Sequence, residues 1–548
     1  MSEKRLLVVF GIFLAMFGVV MGRLFLLASN TEYAARAREQ TVSTLELPAE
    51  RGNIYDCNGQ KLTGAVEQWY ALAVPGDAVY TTLFDYVPYA YQSLLYQKAR
   101  QAASPFLIPV ERDLSSLGVY SVHQARRSLP LPIAVHLLGY LDGEGHGVTG
   151  IEAAFDDILW RGESQTVTCI TTARGSLLQD TDPQLRTVAP NGQGVQLTLD
   201  TAVQRVAEGV AGGMEKGCIL VLDTADCAIR AAVSVPSYDP NRVSASIDAE
   251  NSPLVNRCFA AYNVGSVFKP LLAAAALDAG WDAGQLYECK GWIEVDGQVY
   301  RCAQGVAHGT VDLEQALEQS CNGYFVQLGQ WLGGERALQA ARAAGFGEEV
   351  YLAPGYKSAP GTLPSEEAIS SSGELANFSF GQGQLTGTPL QVAAMMNALA
   401  SDGVWRAPYL VQGTVDEATG ETSPLQYAGS SRRVTTKATA AALRGMLGEV
   451  VREGLGQKAM PSDGSAGGKT GTAQTGRFSP GGEEYTDLWF AGFWPLEHPR
   501  YTIVVMLDET TALSSEAAVL FARMCDGLRY LDAPETDIDK ESADAYNG

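Results

Sequence analysis

Ser266 and Lys269 stand three residues apart in Ala261-Tyr-Asn-Val-Gly-Ser-Val-Phe-Lys-Pro270, at the mouth of an apolar run. Leu271, Leu272, Ala273 to Ala276 and Leu277 favour a helix, and Gly280 is a stop signal for it. Pro270 is tolerated only near a helix start, so Ser266 belongs in or just before the first turn. Free backbone N–H groups and the positive dipole end gather there and favour an oxyanion. The i,i+3 spacing puts Lys269 on the same face, within reach of the Ser266 hydroxyl. A serine hydroxyl needs a neighbouring base to act as a nucleophile, and a desolvated lysine can be that base. Taken alone, the same pattern would also arise from an N-cap serine beside a solvated lysine.

Two further short motifs lie downstream. Ser320-Cys321-Asn322 follows a helix-like segment, and Lys469-Thr470-Gly471 opens a strand-like segment after Gly467-Gly468, with Thr472 next. Singly, the first is a polar loop. The second is a strand whose small residues let a ligand approach the backbone closely.

The elements that must position these groups are legible as periodic runs. Val195–Asp200 alternates as a strand, Thr201–Val210 reads as a helix, and Cys218–Asp223 with Ala228–Val235 reads as an antiparallel pair. From Ser266 to about Gly454 the pattern is mainly helical, best in Val311–Gln319, Tyr324–Leu332 and Pro389–Ala400. Strands return at Gly468–Gln474, Leu488–Trp494 and Tyr501–Leu507, before a last helix over 514–528. Strands bracketing a helical insert predict one sheet built from both ends of an α+β domain.

The chain has 548 residues, long enough for two or three domains, and 39 Lys plus Arg against 62 Asp plus Glu give a net charge of −23. With no basic stripe, nucleic acid is excluded as a partner. Leu6 to Ala28 is apolar apart from Arg23 and is long enough to cross a bilayer. Lys4 and Arg5 orient residues 1–5 to the cytoplasm, as a retained anchor rather than a cleaved signal. Residues 29–190 read as a mixed spacer, with a polar helix over 31–40 and a strand over 41–47. Residues 191–531 read as the main globular domain and 532–548 as an acidic tail. The nine cysteines do not form a disulfide scaffold. Cys289 and Cys302, however, flank a hairpin turning at Asp296-Gly297, which suggests a disulfide between them. No metal-ligand spacing is apparent among the five dispersed histidines, so no metal and no cofactor is expected.

Ser-x-x-Lys at a helix start, Ser-x-Asn after a helix and Lys-Thr-Gly on a strand, in this order, form the signature of the penicillin-recognising serine enzymes. Over nearly its whole length the sequence resembles the class B penicillin-binding proteins, monofunctional peptidoglycan D,D-transpeptidases. Arg51-Gly-Asn-Ile-Tyr-Asp-Cys-Asn-Gly59 resembles their membrane-proximal pedestal motif, with Cys57 where arginine is usual. Gly147–Glu152, Leu197–Gln204, Pro236–Asn241, Asn256-Arg257, Phe380–Gly383 with Thr388–Gln391, and Trp489–Gly492 are similar too. Val264, Val267 and Cys258 depart from the usual residues.

The resemblance implies a transpeptidase domain on a pedestal and residue roles as follows. Ser266 attacks the penultimate D-Ala carbonyl of a stem peptide, Lys269 takes its proton and Ser320 relays a proton to the leaving D-Ala. Asn322 holds the substrate amide, and Lys469 favours neutral Lys269. Thr470 and Thr472, flanking Gly471, bind the terminal carboxylate, and the N–H groups of Ser266 and Thr472 form the oxyanion hole. It further implies acylation by β-lactams, an extracytoplasmic catalytic domain and a polytopic lipid-linked glycosyltransferase partner. The expected process is division or sporulation in a Gram-positive bacterium. A D,D-carboxypeptidase or β-lactamase shares the three motifs but needs neither anchor nor pedestal. A non-catalytic penicillin receptor or scaffold would be expected to carry a cytoplasmic signalling domain.

Overall fold

The computed structural model describes residues 3–29, 42–47, 51–64, 66–102, 104–127, 132–160, 165–172, 177, 182–186, 192–425, 429–512 and 515–532. The polar helix expected over 31–40 and the tail from 533 lie outside these residues. One helix, Glu3–Ala28, carries the apolar N-terminal run, and its stretch Arg5–Ala28 is long and apolar enough to cross a membrane.

The rest falls into two compact units that are interleaved along the chain. One holds residues up to Arg51, Gly64–Arg127 and Arg161–Asn191; the other holds Gly52–Thr63, Ser128–Trp160 and everything from Gly192. A contiguous division near residue 190 therefore does not describe the packing. In the first unit, Val66–Ala73 is the central strand between Phe106–Val110 and Ser121–Arg126. The aromatic-rich stretch after residue 76 forms helices Asp77–Leu83 and Tyr89–Gln101, and Leu83, Leu95 and Ile108 share its core. A second small sheet places Thr166–Ile170 between Val42–Glu46 and Gln184–Arg186.

In the second unit, five antiparallel strands form the sheet: β1 (Gly217–Asp223), β2 (Ile229–Val235), β3 (Gly467–Phe478), β4 (Glu484–Trp494) and β5 (Tyr501–Thr510). Their order is β2-β1-β5-β4-β3. The two ends of the unit thus meet at β1 and β5, as the bracketing strands predict, with Val504 opposite Leu220. Both faces of β1, β4 and β5 are buried, which explains their near-continuous apolar runs. One face is covered by α1 (Thr201–Ala211), capped by the Asp200 side chain, together with the C-terminal helix Glu516–Asp532. The helical insert lies on the other face. It includes α2 (Lys269–Asp278), α3 (Asn322–Leu332) and α4 (Pro389–Ala400), the last buried on all sides and begun by a Thr388–Gln391 capping box.

The pedestal-like motif is bonded into this second unit from Gly52 on. Ile54-Tyr55 pairs in parallel with Val195-Gln196. Asp56 accepts from the Thr201 hydroxyl at 2.7 Å and from the Asn58 and Gln60 amides. A Cβ on Gly52 would stand 1.9 Å from the Gln193 carbonyl oxygen, so only glycine fits there.

Candidate active site

Ser266 lies in a 3₁₀ turn, Gly265–Phe268, that runs directly into α2 with Pro270 in its first turn. The turn is pinned on both sides. Gly265 has φ +63°, and its amide donates to the Gly381 carbonyl at 2.8 Å. A Cβ on Gly381 would sit 1.9 Å from the Gly265 carbonyl, which gives the Phe380–Gly383 motif its physical reason. On the other side runs β3. The Asn263 side-chain amide donates to the Gln474 carbonyl at 2.9 Å, and the Trp489 indole N–H donates to the Asn263 carbonyl at 3.1 Å. A Cβ on Gly471 would crowd Val267 Cγ1 at 3.0 Å and Trp489 Cβ at 3.1 Å. Glycine there lets the strand lie against the serine turn.

Lys269 is fully buried, and its amine is held by the second motif. Nζ donates to the Ser320 carbonyl at 2.7 Å, to Ser320 Oγ at 3.1 Å and to Asn322 Oδ1 at 2.7 Å. Among the described residues, the bonds of its amine run to Ser320 and Asn322 and not to Ser266. Burial pushes Lys269 down to about 7. Ser320 adopts φ +54°, a left-handed conformation uncommon outside glycine, and Asn322 opens α3 with its amide donating to the Arg301 carbonyl at 2.9 Å. Lys469 is also fully buried and donates to the Thr470 carbonyl at 3.2 Å. Burial lowers it well below the usual lysine range, and repulsion from Lys269 lowers it further. Burial is thus the first cause of the lowering of both amines, and the repulsion between them disfavours charging both at once. Along β3, Thr470 is half-buried and Thr472 exposed, and the Thr472 carbonyl approaches the Gly265 turn.

The Ser266 turn, the buried Lys269 amine, the Ser320 hydroxyl and β3 are therefore brought together from segments far apart in the sequence. The penicillin-binding protein transpeptidase domain model matches residues 217–525, more than half of the chain. The chain belongs to this transpeptidase family. Among its relatives, the stage V sporulation protein D of Bacillus subtilis is 28% identical over 501 residues, covering 86% of this chain and 76% of that protein. The peptidoglycan D,D-transpeptidase MrdA of Escherichia coli K12 is 27% identical over 485 residues, 76% of this chain and 75% of that protein. Solved structures share the fold. Apo penicillin binding protein 3 from Mycobacterium tuberculosis has a TM-score of 0.64 at 25% identity, covering 90% of this chain and 98% of that one. A chain of a peptidoglycan synthase complex has a TM-score of 0.69 at 24% identity, covering 98% of this chain and all of that one.

Sequence spacing missed one feature of this transpeptidase. Cys289 and Cys302 are brought together as expected, but their sulfurs are 3.7 Å apart, far beyond an S–S bond of about 2.05 Å, and both thiols are free. They do not stand alone. His308 and Cys321 join them, with all four ligand atoms within 4.8 Å of one another, contrary to the expectation of no metal-ligand group. The signal was present as Cys289, Cys302, His308 and Cys321 within one short stretch, but the intervals match no familiar motif.

Proposed function

We propose that the protein is a serine-type peptidoglycan D,D-transpeptidase acting through Ser266. The observation that carries this reading is the buried Lys269, poised near neutral pH one helical turn from Ser266 and held by Ser320 and Asn322. A neutral amine has two hydrogens, enough for the two 2.7 Å bonds to the Ser320 carbonyl and Asn322 Oδ1, and gives up the longer donation to Ser320 Oγ. Its lone pair can then accept the Ser266 proton as Oγ attacks the penultimate D-Ala carbonyl. The N–H groups of Ser266 and Thr472 stabilise the oxyanion. Ser320 passes the proton to the departing D-Ala nitrogen while Asn322 orients the substrate amide. The Thr470 and Thr472 hydroxyls receive the terminal carboxylate. The ester on Ser266 is then opened by an amine of a second stem peptide, which forms the cross-link and returns Ser266 to its free form. β-Lactams acylate the same hydroxyl.

The apolar helix Arg5–Ala28 supports a single-pass anchor with the catalytic unit outside the cytoplasm. The similarity to a chain of a peptidoglycan synthase complex supports a membrane glycosyltransferase partner. The Bacillus relative's name supports a sporulation role, which localisation of a fluorescent fusion through growth and sporulation tests. The catalytic reading is tested by fluorescent penicillin. Wild type forms a covalent adduct that persists for many minutes and Ser266→Ala forms none. Labelling of Ser266→Ala at the wild-type level refutes the assignment, and release of the wild-type adduct within seconds indicates a hydrolase instead.

A further inference from the structure

We propose that Cys289, Cys302, His308 and Cys321 bind one structural zinc ion that locks the loop carrying Ser320 and Asn322. A tetrahedral ion with Zn–S near 2.3 Å and Zn–N near 2.0–2.1 Å requires its ligand atoms to be about 3.8 Å apart for two sulfurs and about 3.5 Å for sulfur and nitrogen. Cys289 and Cys302 sulfurs are 3.7 Å apart, Cys302 and Cys321 sulfurs 4.0 Å, and Cys289 Sγ lies 3.4 Å from His308 Nδ1. These three distances match edges of a metal-sized tetrahedron, the other three lie within 4.8 Å, and the sulfur–sulfur separations are too long for a disulfide. Three thiols and one imidazole form a donor set that suits zinc rather than an oxygen-seeking cation.

The surroundings are those of a built site. The three cysteines are buried, with 2%, 3% and 0% of their surface exposed, and His308 is half-buried. Backbone amides already point at two of the sulfurs: Gly291 N–H donates to Cys289 at 3.4 Å and Tyr324 N–H to Cys321 at 3.5 Å. Such bonds favour thiolates and fix their direction. The turn that supplies the first amide needs glycine, because Gly291 has φ +85° and a Cβ there would stand 2.3 Å from the Gly305 carbonyl. Binding releases the thiol protons to solvent, so occupancy is won from folding and lost in acid.

The position gives the ion a consequence, which rests on the transpeptidase reading. Cys321 lies between the two residues that hold Lys269, and Asn322 donates to the carbonyl of Arg301, next to Cys302. One ion therefore ties the 292–301 hairpin, the following turn and the start of α3 into a single unit. The φ of +54° at Ser320 is then held by ligands on both sides of the loop rather than by packing alone.

The test uses full-length protein purified in detergent without added metal, with metal content measured by mass spectrometry. About one zinc per chain is expected. Cys302→Ser and Cys321→Ser should each lower it at least fivefold, while His308→Cys, which restores a four-ligand set, and Cys57→Ser keep it. Cobalt replacement should give thiolate-to-metal charge-transfer bands in wild type and in His308→Cys. Stripping zinc should slow penicillin labelling at least threefold, and added zinc should restore the rate. Wild type free of zinc overturns the site, whether it carries a Cys289–Cys302 disulfide or four free side chains, as does a zinc content indifferent to these variants. A labelling rate unchanged by stripping overturns the locking of the Ser320 loop. Zinc content is read without catalysis, so labelling of Ser266→Ala would remove the catalytic assignment and leave the metal result standing.

Discussion

Lys269 and Ser320 are joined twice, the lysine amine donating to the serine's carbonyl at 2.7 Å and to its hydroxyl at 3.1 Å, across 51 residues of chain. The pairing fixes the amine in a fully buried position where water cannot stabilise its charge, and burial brings it down to about 7. If neutral Lys269 is the base, acylation rises with pH through about 7 and then levels. The second-order rate of penicillin labelling at pH 6 should be about tenfold below its plateau. Lys269→Arg, which stays charged, should abolish labelling. A rate flat between pH 6 and 8 would remove Lys269 as the base.

How much of this was written in the sequence varies with the range of the forces involved. The sheet strands and α4 were legible because burial imposes an apolar period on each of them locally, and the Asp296-Gly297 turn declares itself by residues tolerant of positive φ. Ser266, Ser320 and Lys469 were nominated by type and order. What holds them was not legible. A lysine in a strand reads as solvated, yet Lys469 is fully buried. The interleaving of the two units depends on Asp56 bonding Thr201, and the cysteine–histidine cluster on three turns meeting; neither leaves a local period.

Gly471 is where strand and serine turn touch, so a methyl group there should hurt catalysis more than folding. In Gly471→Ala the new Cβ must displace Val267 or Trp489. Overpacking of this kind costs roughly 1–3 kcal/mol. We expect a labelling rate down at least tenfold in a protein that still unfolds cooperatively. Gly445→Ala, within a helix and with nothing within 4 Å of its Cβ, should label as wild type. Equal rates in the two variants would refute the fit.

Arg257 is 2% exposed and pairs with Asp508 at 2.8 Å, while its remaining donors reach the Asn251 and Ser252 carbonyls. Arg257→Ala leaves Asp508 with Lys216, at 3.3 Å, as its remaining ion-pair partner. Breaking a buried pair typically costs about 3–5 kcal/mol, and Lys216 keeps this case near 3. The midpoint of denaturant unfolding should fall accordingly, with Arg257→Lys in between. A midpoint unchanged in the alanine variant would show that the pair contributes nothing.

Asp487, on β4 opposite Ala473, is raised to about 7, chiefly by burial, with Asp508 and Glu509 pushing the same way. Lys216 opposes them, as does the bond from the Glu509 amide at 3.0 Å. The folded chain therefore holds this proton more tightly than the unfolded chain, whose aspartate titrates near 3.8. The sign follows: the contribution to stability is complete below about pH 4 and is lost as pH rises through about 7. At about 1.4 kcal/mol per unit the loss reaches a few kcal/mol by pH 8. Asp487→Asn keeps an acceptor for the Glu509 amide and carries no charge at any pH. Its Tm should exceed that of wild type at pH 8, and the difference should narrow as the pH is lowered through about 5 and close near about 4. A difference independent of pH would show that Asp487 is not the titrating group.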